Sequence, residues 1–198
     1  MASVLTIDDG NDYAIFVTVD VVTISKDVLL AVRKRVAELN PQIDTEKIIM
    51  NCTHTHAGPL VLNSDDLGGW GRLEDLPHDG IEITSPVKYF AYFVEKVSEA
   101  ICESFESRAE GYISYGYGYA VASHNRRAVY FKDKAKEAGL SEGYAKMYGN
   151  TALPEFSHLE TGGNPYAEFM FTYDSDEKLT GVLLTLLVLH KIWNLNII

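Results

Sequence analysis

His54 and His56, in the run "THTHAGP" at 53–59, have the residue types and spacing to do metal chemistry. In extended backbone, residues i and i+2 point to one side about 7 Å apart. Where a strand curls at its end, such a pair can converge on one ion, or one imidazole can bind while the other meets a substrate. Neutral imidazole suits zinc. A catalytic zinc normally takes three protein ligands and a water, so further donors have to come from elsewhere. His78, His124, His158, Glu160 and His190 are the candidates, and spacing alone does not choose among them. A plainer reading fits the same residues: a non-catalytic binding or structural domain in which His54 and His56 only hydrogen-bond around a loop.

Two other places carry groups of interest. Asp20 closes an apolar run, and strand ends are where α/β domains build sites. Asn125, Arg126 and Arg127 follow a later strand, where a guanidinium can neutralise an oxyanion or clamp a carboxylate. In a chain with excess acid, the sequence alone favours surface salt bridges for the same arginines. A metal-assisted phosphoesterase would need more carboxylates near strand ends than this chain has.

The elements that must position these groups are legible from periodicity. "YAIFVTVDVV" (13–22) has the composition and length of a buried strand. Ser25 and Asp27 offer an N-cap before a helix whose Val28, Leu29, Val32, Val36 and Leu39 recur at helical spacing, ending at Asn40-Pro41. "KIIMNC" (47–52) is a second strand, so the order is βαβ with the histidines at the carboxyl end of the second strand. A long loop over 60–84 follows, and Trp70 between glycines favours a functional cover. Ser85-Pro86 opens a helix striped by Tyr89, Phe90, Phe93, Val97, Ile101 and Phe105. From Gly111 the pattern alternates as a strand, 130–163 reads as irregular with a helical piece near 132–138, and "SDEK" joins two final strands as a hairpin.

The chain has 198 residues, with 46% hydrophobic content, which allows a sizeable core in one domain or a large piece of one. Its formal net charge of −11 argues against nucleic acid or an anionic membrane as partner. A small neutral or cationic molecule fits better. Cys52 and Cys102 make neither a disulfide framework nor a Cys-x-x-Cys metal site. The first residues form neither a signal peptide nor a transmembrane segment, and localisation and oligomeric state are not legible.

Taken together, "YAIFVTVDVV", "DVLLAVRKRV" and "IIMNCTHTHAGP" resemble the N-terminal domain of the neutral/alkaline non-lysosomal ceramidase family, in which a strand leads into Thr-His-Thr-His-Ser-Gly-Pro. "NRR" and "GNPYAEFMFTYDSDEKLTGVLL" are similar to later elements of that family, and the likeness runs over most of 13–184. It implies an α/β fragment, a mixed sheet with flanking helices, from a larger bacterial ceramidase-like N-terminal domain. It also implies a zinc-dependent amidase acting on a lipid-like N-acyl bond of sphingolipid metabolism. Carried over by residue, His54 is a zinc ligand, His56 faces the reacting oxygen, Arg126 lies at the site wall, and Asn125 and Asp20 support it. Ala57 replaces the commoner serine. Family members are often secreted or periplasmic.

The resemblance also implies departures. A second zinc histidine follows the "G-x-L-L"-like strand in characterised ceramidases, and His190 is offset from that position. Glu and Tyr ligands come later still in the family. The tail "TLLVLHKIWNLNII" (185–198) has a possible coding sequence that, in another frame, reads Ser-Ser-Cys-Pro-Ser-Gln, and many bacterial relatives carry Cys-Pro-Ser-Gln there. The expectation is a single partial domain over 1–198 with a frameshifted tail, an incomplete zinc site, and no turnover by the isolated chain.

Overall fold

The computed structural model describes residues 1–68, 71–75, 79–120, 125–162 and 164–186. Helices and small sheets mix in an α/β architecture that divides into two compact units, Met1–Ala109 and Glu110–Ile198.

In the first unit β1 (Ala2–Asp8), β2 (Tyr13–Val19) and β3 (Ile48–Cys52) form a sheet in that order. β1 has no counterpart among the strands expected from sequence. It pairs antiparallel with β2 through a tight turn in which Asp9 Oδ1 accepts from the N–H groups of Asn11 and Asp12, and Gly10 takes a φ of 85°. The strand expected over 13–22 stops at Val19, and Asp20 lies beyond its end.

β3 runs parallel to β2, which requires a crossover, and α1 (Lys26–Leu39) supplies it. Ser25 caps that helix by accepting from Val28 N–H at 3.4 Å. The four-residue spacing of Val28, Val32 and Val36 turns all three toward Ile15, Val17, Val19 and Ile48 of the sheet. α2 (Pro86–Glu106) is capped by Ser85 and brings Phe93, Val97, Ile101 and Phe105 into the same core. Each such buried side chain contributes about 1.5–3 kcal/mol. The expected apolar stripe is therefore core, and Ser98 Oγ ties the two helices by donating to Val32 O at 3.3 Å.

The second unit holds two three-stranded antiparallel sheets. One has the order β4-β8-β9, from β4 (Gly111–Tyr119), β8 (Tyr166–Asp174) and β9 (Leu179–Leu186), with the expected hairpin between the last two. The other has β5 (Arg127–Tyr130) between β6 (Ala145–Met147) and β7 (Phe156–Leu159). The expected helical piece near 132–138 is a succession of turns instead, because Lys134 and Glu137 N–H groups bond three residues back, to Phe131 and Lys134. Those turns leave Ala135 and Leu140 to pack with Ala128 and Tyr130 in a small second core. No described helix is long and apolar enough to cross a membrane.

Candidate functional site

Val19 of β2 and Cys52 of β3 are the last register partners of a parallel pair. Asp20 and Thr53 therefore leave the sheet side by side at its carboxyl edge, where parallel sheets build sites. Two hydrogen bonds fix them: Thr53 N–H donates to Val19 O at 3.1 Å, and Thr53 Oγ1 donates to Asp20 Oδ1 at 3.1 Å. Asp20 thus supports the turn that carries the histidines.

His54 follows in the left-handed region, with φ 55°. Such backbone is uncommon for a residue with a Cβ and costs about 1–3 kcal/mol. The turn it makes brings its ring Nδ1 to 2.5 Å from the main-chain oxygen of Val22. A carbonyl oxygen only accepts, so Nδ1 carries a proton, and in the neutral ring Nε2 keeps its lone pair. Metal-ligating histidines are held in the same way, by donating from the other ring nitrogen. Cys52 Sγ donates to the same oxygen at 3.7 Å. The His56 ring stands edge-on to that of His54, with centroids 5.0 Å apart and an interplanar angle of 88°. Both imidazoles are exposed.

Gly58 completes the segment for a steric reason. A Cβ there would lie 2.6 Å from Asp20 O and 3.0 Å from Thr55 Cγ2, so only glycine lets the loop cross this close to the strand end.

His54 Nε2 fits one coordination position of a zinc ion. Among the described residues no three His, Cys, Asp or Glu side chains group to hold a metal. His78, His124 and His190, three of the candidate further donors, lie outside the described residues, as does Trp70 of the loop read as a cover. His158 Nδ1 lies 3.0 Å from Ser157 Oγ, and Glu160 is paired with Arg127 at 3.1 Å.

The second unit carries the Asn-Arg-Arg element at the start of β5. Asn125 Oδ1 accepts from Arg127 N–H at 2.7 Å and its Nδ2 donates to Thr161 Oγ1 at 2.8 Å, so this side chain shapes the entry to the strand. The two arginines divide the roles open to them. Arg127 makes the surface salt bridge, whereas Arg126 donates from Nη1 to Tyr148 Oη at 2.5 Å and pairs with no described carboxylate of its unit. Sequence reasoning missed Thr53, the Val22 carbonyl and Tyr148. The threonine alone had a signal, lying next to the histidine pair.

No family model and no curated protein matches the chain. Among solved structures, a ceramidase complexed with C2 is similar at 20% identity and a TM-score of 0.59, over 92% of this chain and 25% of that one. The neutral ceramidase from Pseudomonas aeruginosa is similar at 18% identity and a TM-score of 0.53, over 88% of this chain and 24% of that one. The chain spans about a quarter of the length of these structures, and over that quarter its fold is ceramidase-like.

Proposed function

We propose that this chain is part of a zinc-dependent hydrolase acting on an N-acyl, ceramide-like amide bond, with His54 as a zinc ligand through Nε2 and His56 facing the reacting oxygen. The observation that carries the reading is the Nδ1–H bond from His54 to Val22 O, which leaves a lone pair directed away from the protein's own acceptor. The ceramidase-like fold supports the choice of substrate class.

Zinc, when bound, would polarise the amide carbonyl and lower the pKa of a water. The chain's own residues do the rest. Asp20 and Thr53 hold the turn, Gly58 lets the loop close over the strand end, and the left-handed backbone aims the His54 ring. In the second unit, Arg126 carries a positive charge of the kind that suits a carboxylate or oxyanion. His54 and His56 alone do not complete a catalytic zinc site, and the chain, which spans about a quarter of the ceramidase structures it resembles, is expected to bind metal without turning substrate over.

Equilibrium dialysis of the chain against zinc, with and without a soluble short-chain N-acyl amide of an amino alcohol, tests this. Zinc uptake that His54→Ala abolishes supports the reading, and no uptake opposes it. A second reading has one observation in its favour. The same bond to Val22 O also pins the loop, and no described group of three donors surrounds it. On that reading the chain is a non-catalytic binding or structural domain, and His54→Ala lowers stability while zinc changes nothing.

A further inference from the structure

Arg126 and Tyr148 face each other one step beyond the last cross-strand pair of β5 and β6, Arg127 with Met147. Two bonds join them in opposite directions. Tyr148 N–H donates to Arg126 O at 2.8 Å, and Arg126 Nη1 donates to Tyr148 Oη. The guanidinium carbon lies 5.0 Å from the Tyr148 ring centroid, within cation–π range. Among the described residues of its unit no carboxylate pairs with Arg126, although the chain has 28 acidic residues and its neighbour Arg127 has found one.

Tyr148 achieves this from an unfavourable backbone. Its φ is 56°, in the region that favours glycine, while the glycine of this turn sits one residue later. Gly149 is needed where it is, because a Cβ there would collide with Tyr130 Oη and lie 2.9 Å from Ala128 Cβ. The left-handed position is thus occupied by an exposed tyrosine whose side chain touches the arginine of the pair that has no salt bridge among the described residues of its unit.

We propose that Tyr148 is a positioning residue for Arg126, holding Nη1 and the guanidinium plane so that the Nε and Nη2 edge is presented to a carboxylate. A guanidinium held along one edge binds a carboxylate through two parallel N–H donors on another. The ligand class, a carboxylate, follows from the guanidinium's own chemistry, and neither it nor the positioning role depends on zinc binding at His54.

The test uses the zinc-free 198-residue chain with octanoate as the probe, and reads the 15N signals of the Arg126 side chain together with octanoate affinity and thermal midpoint. In the parent chain the Arg126 Nη1 protons are expected to give a resolved, slowly rotating signal, and octanoate to shift the Nε resonance. Tyr148→Phe keeps the ring but removes the acceptor, so the resolved signal collapses and affinity falls roughly three- to tenfold, the size of one lost hydrogen bond.

Tyr148→Gly relieves the backbone and removes the Oη hydrogen bond and the ring contact while keeping the main-chain bond to Arg126 O. Its thermal midpoint is expected to hold or rise while octanoate affinity falls, a split that a merely structural residue would not produce. The proposal is overturned if Tyr148→Phe leaves the Arg126 signal and affinity unchanged, if Tyr148→Gly lowers the midpoint and affinity together, or if the parent chain does not bind octanoate. Because no zinc is present, failure here is separate from failure of zinc to bind at His54.

Discussion

The His54 imidazole donates from Nδ1 to the main-chain oxygen of Val22, so a residue just past β3 is oriented by one just past β2. That bond is made possible by the left-handed backbone at His54. His54→Gly exchanges the lost hydrogen bond, about 1 kcal/mol, against relief of strain of similar size. Its stability to urea is expected to stay within about 1 kcal/mol of the parent, while calorimetry shows zinc affinity lost.

Gly58 is required by contact, since its φ lies outside the left-handed region. Gly58→Ala would drive a methyl group against Asp20 O and Thr55 Cγ2. The expected cost is about 1–3 kcal/mol by chemical denaturation, with weakened zinc binding because the shifted loop carries both histidines.

Ile101 is fully buried between the helices and the sheet of the first unit. Ile101→Ala leaves a cavity in that core, and urea unfolding is expected to show a loss of about 2–5 kcal/mol. A loss below 1 kcal/mol would contradict the packing described for α2.

A surface ion pair gives a prediction with a defined pH window. The hydrogen bond from Lys47 Nζ, at 2.8 Å, and then the Tyr13 N–H hold the Asp12 carboxyl below its ordinary value of 3.8. The same bond raises Lys47 above 10.5. A depressed carboxyl stabilises the fold above its unfolded value and ceases to do so as pH falls through the folded one; a raised ammonium stabilises below its unfolded value and is lost as pH rises through the folded one. Asp12→Asn is therefore expected to be less stable than the parent by a constant amount between about pH 4 and pH 10, the two curves converging only as pH falls below 3.8 or rises above 10.5, and at high salt. Thermal melts across that range check it.

Local repetition explains what the sequence made legible. The four-residue spacing in α1 and the aromatic and β-branched run of β2 state their own periods, and the parallel pair follows from the helix between the strands. β1 was harder, because a half-exposed strand has a weak pattern, although Asp9-Gly10-Asn11 is a turn signal beside it. The turns over 132–139 have helical composition but are decided by Ala135 and Leu140 reaching a small core. At the site, the histidine pair was legible and its tautomer was not, since that depends on a carbonyl 32 residues away. Likewise nothing local told Arg126 from Arg127; Glu160 and Tyr148 on the neighbouring chain segments make the distinction.

The central claim is that His54 offers Nε2 to zinc, and long-range 15N–1H correlation of the histidine rings reads it directly. In the zinc-free chain the account predicts that His54 is protonated at Nδ1, with an Nε2 shift typical of a free lone pair. On addition of zinc that Nε2 resonance should move while the His158 ring stays unchanged. A His54 ring protonated at Nε2, or an Nε2 resonance that zinc leaves in place, would contradict it.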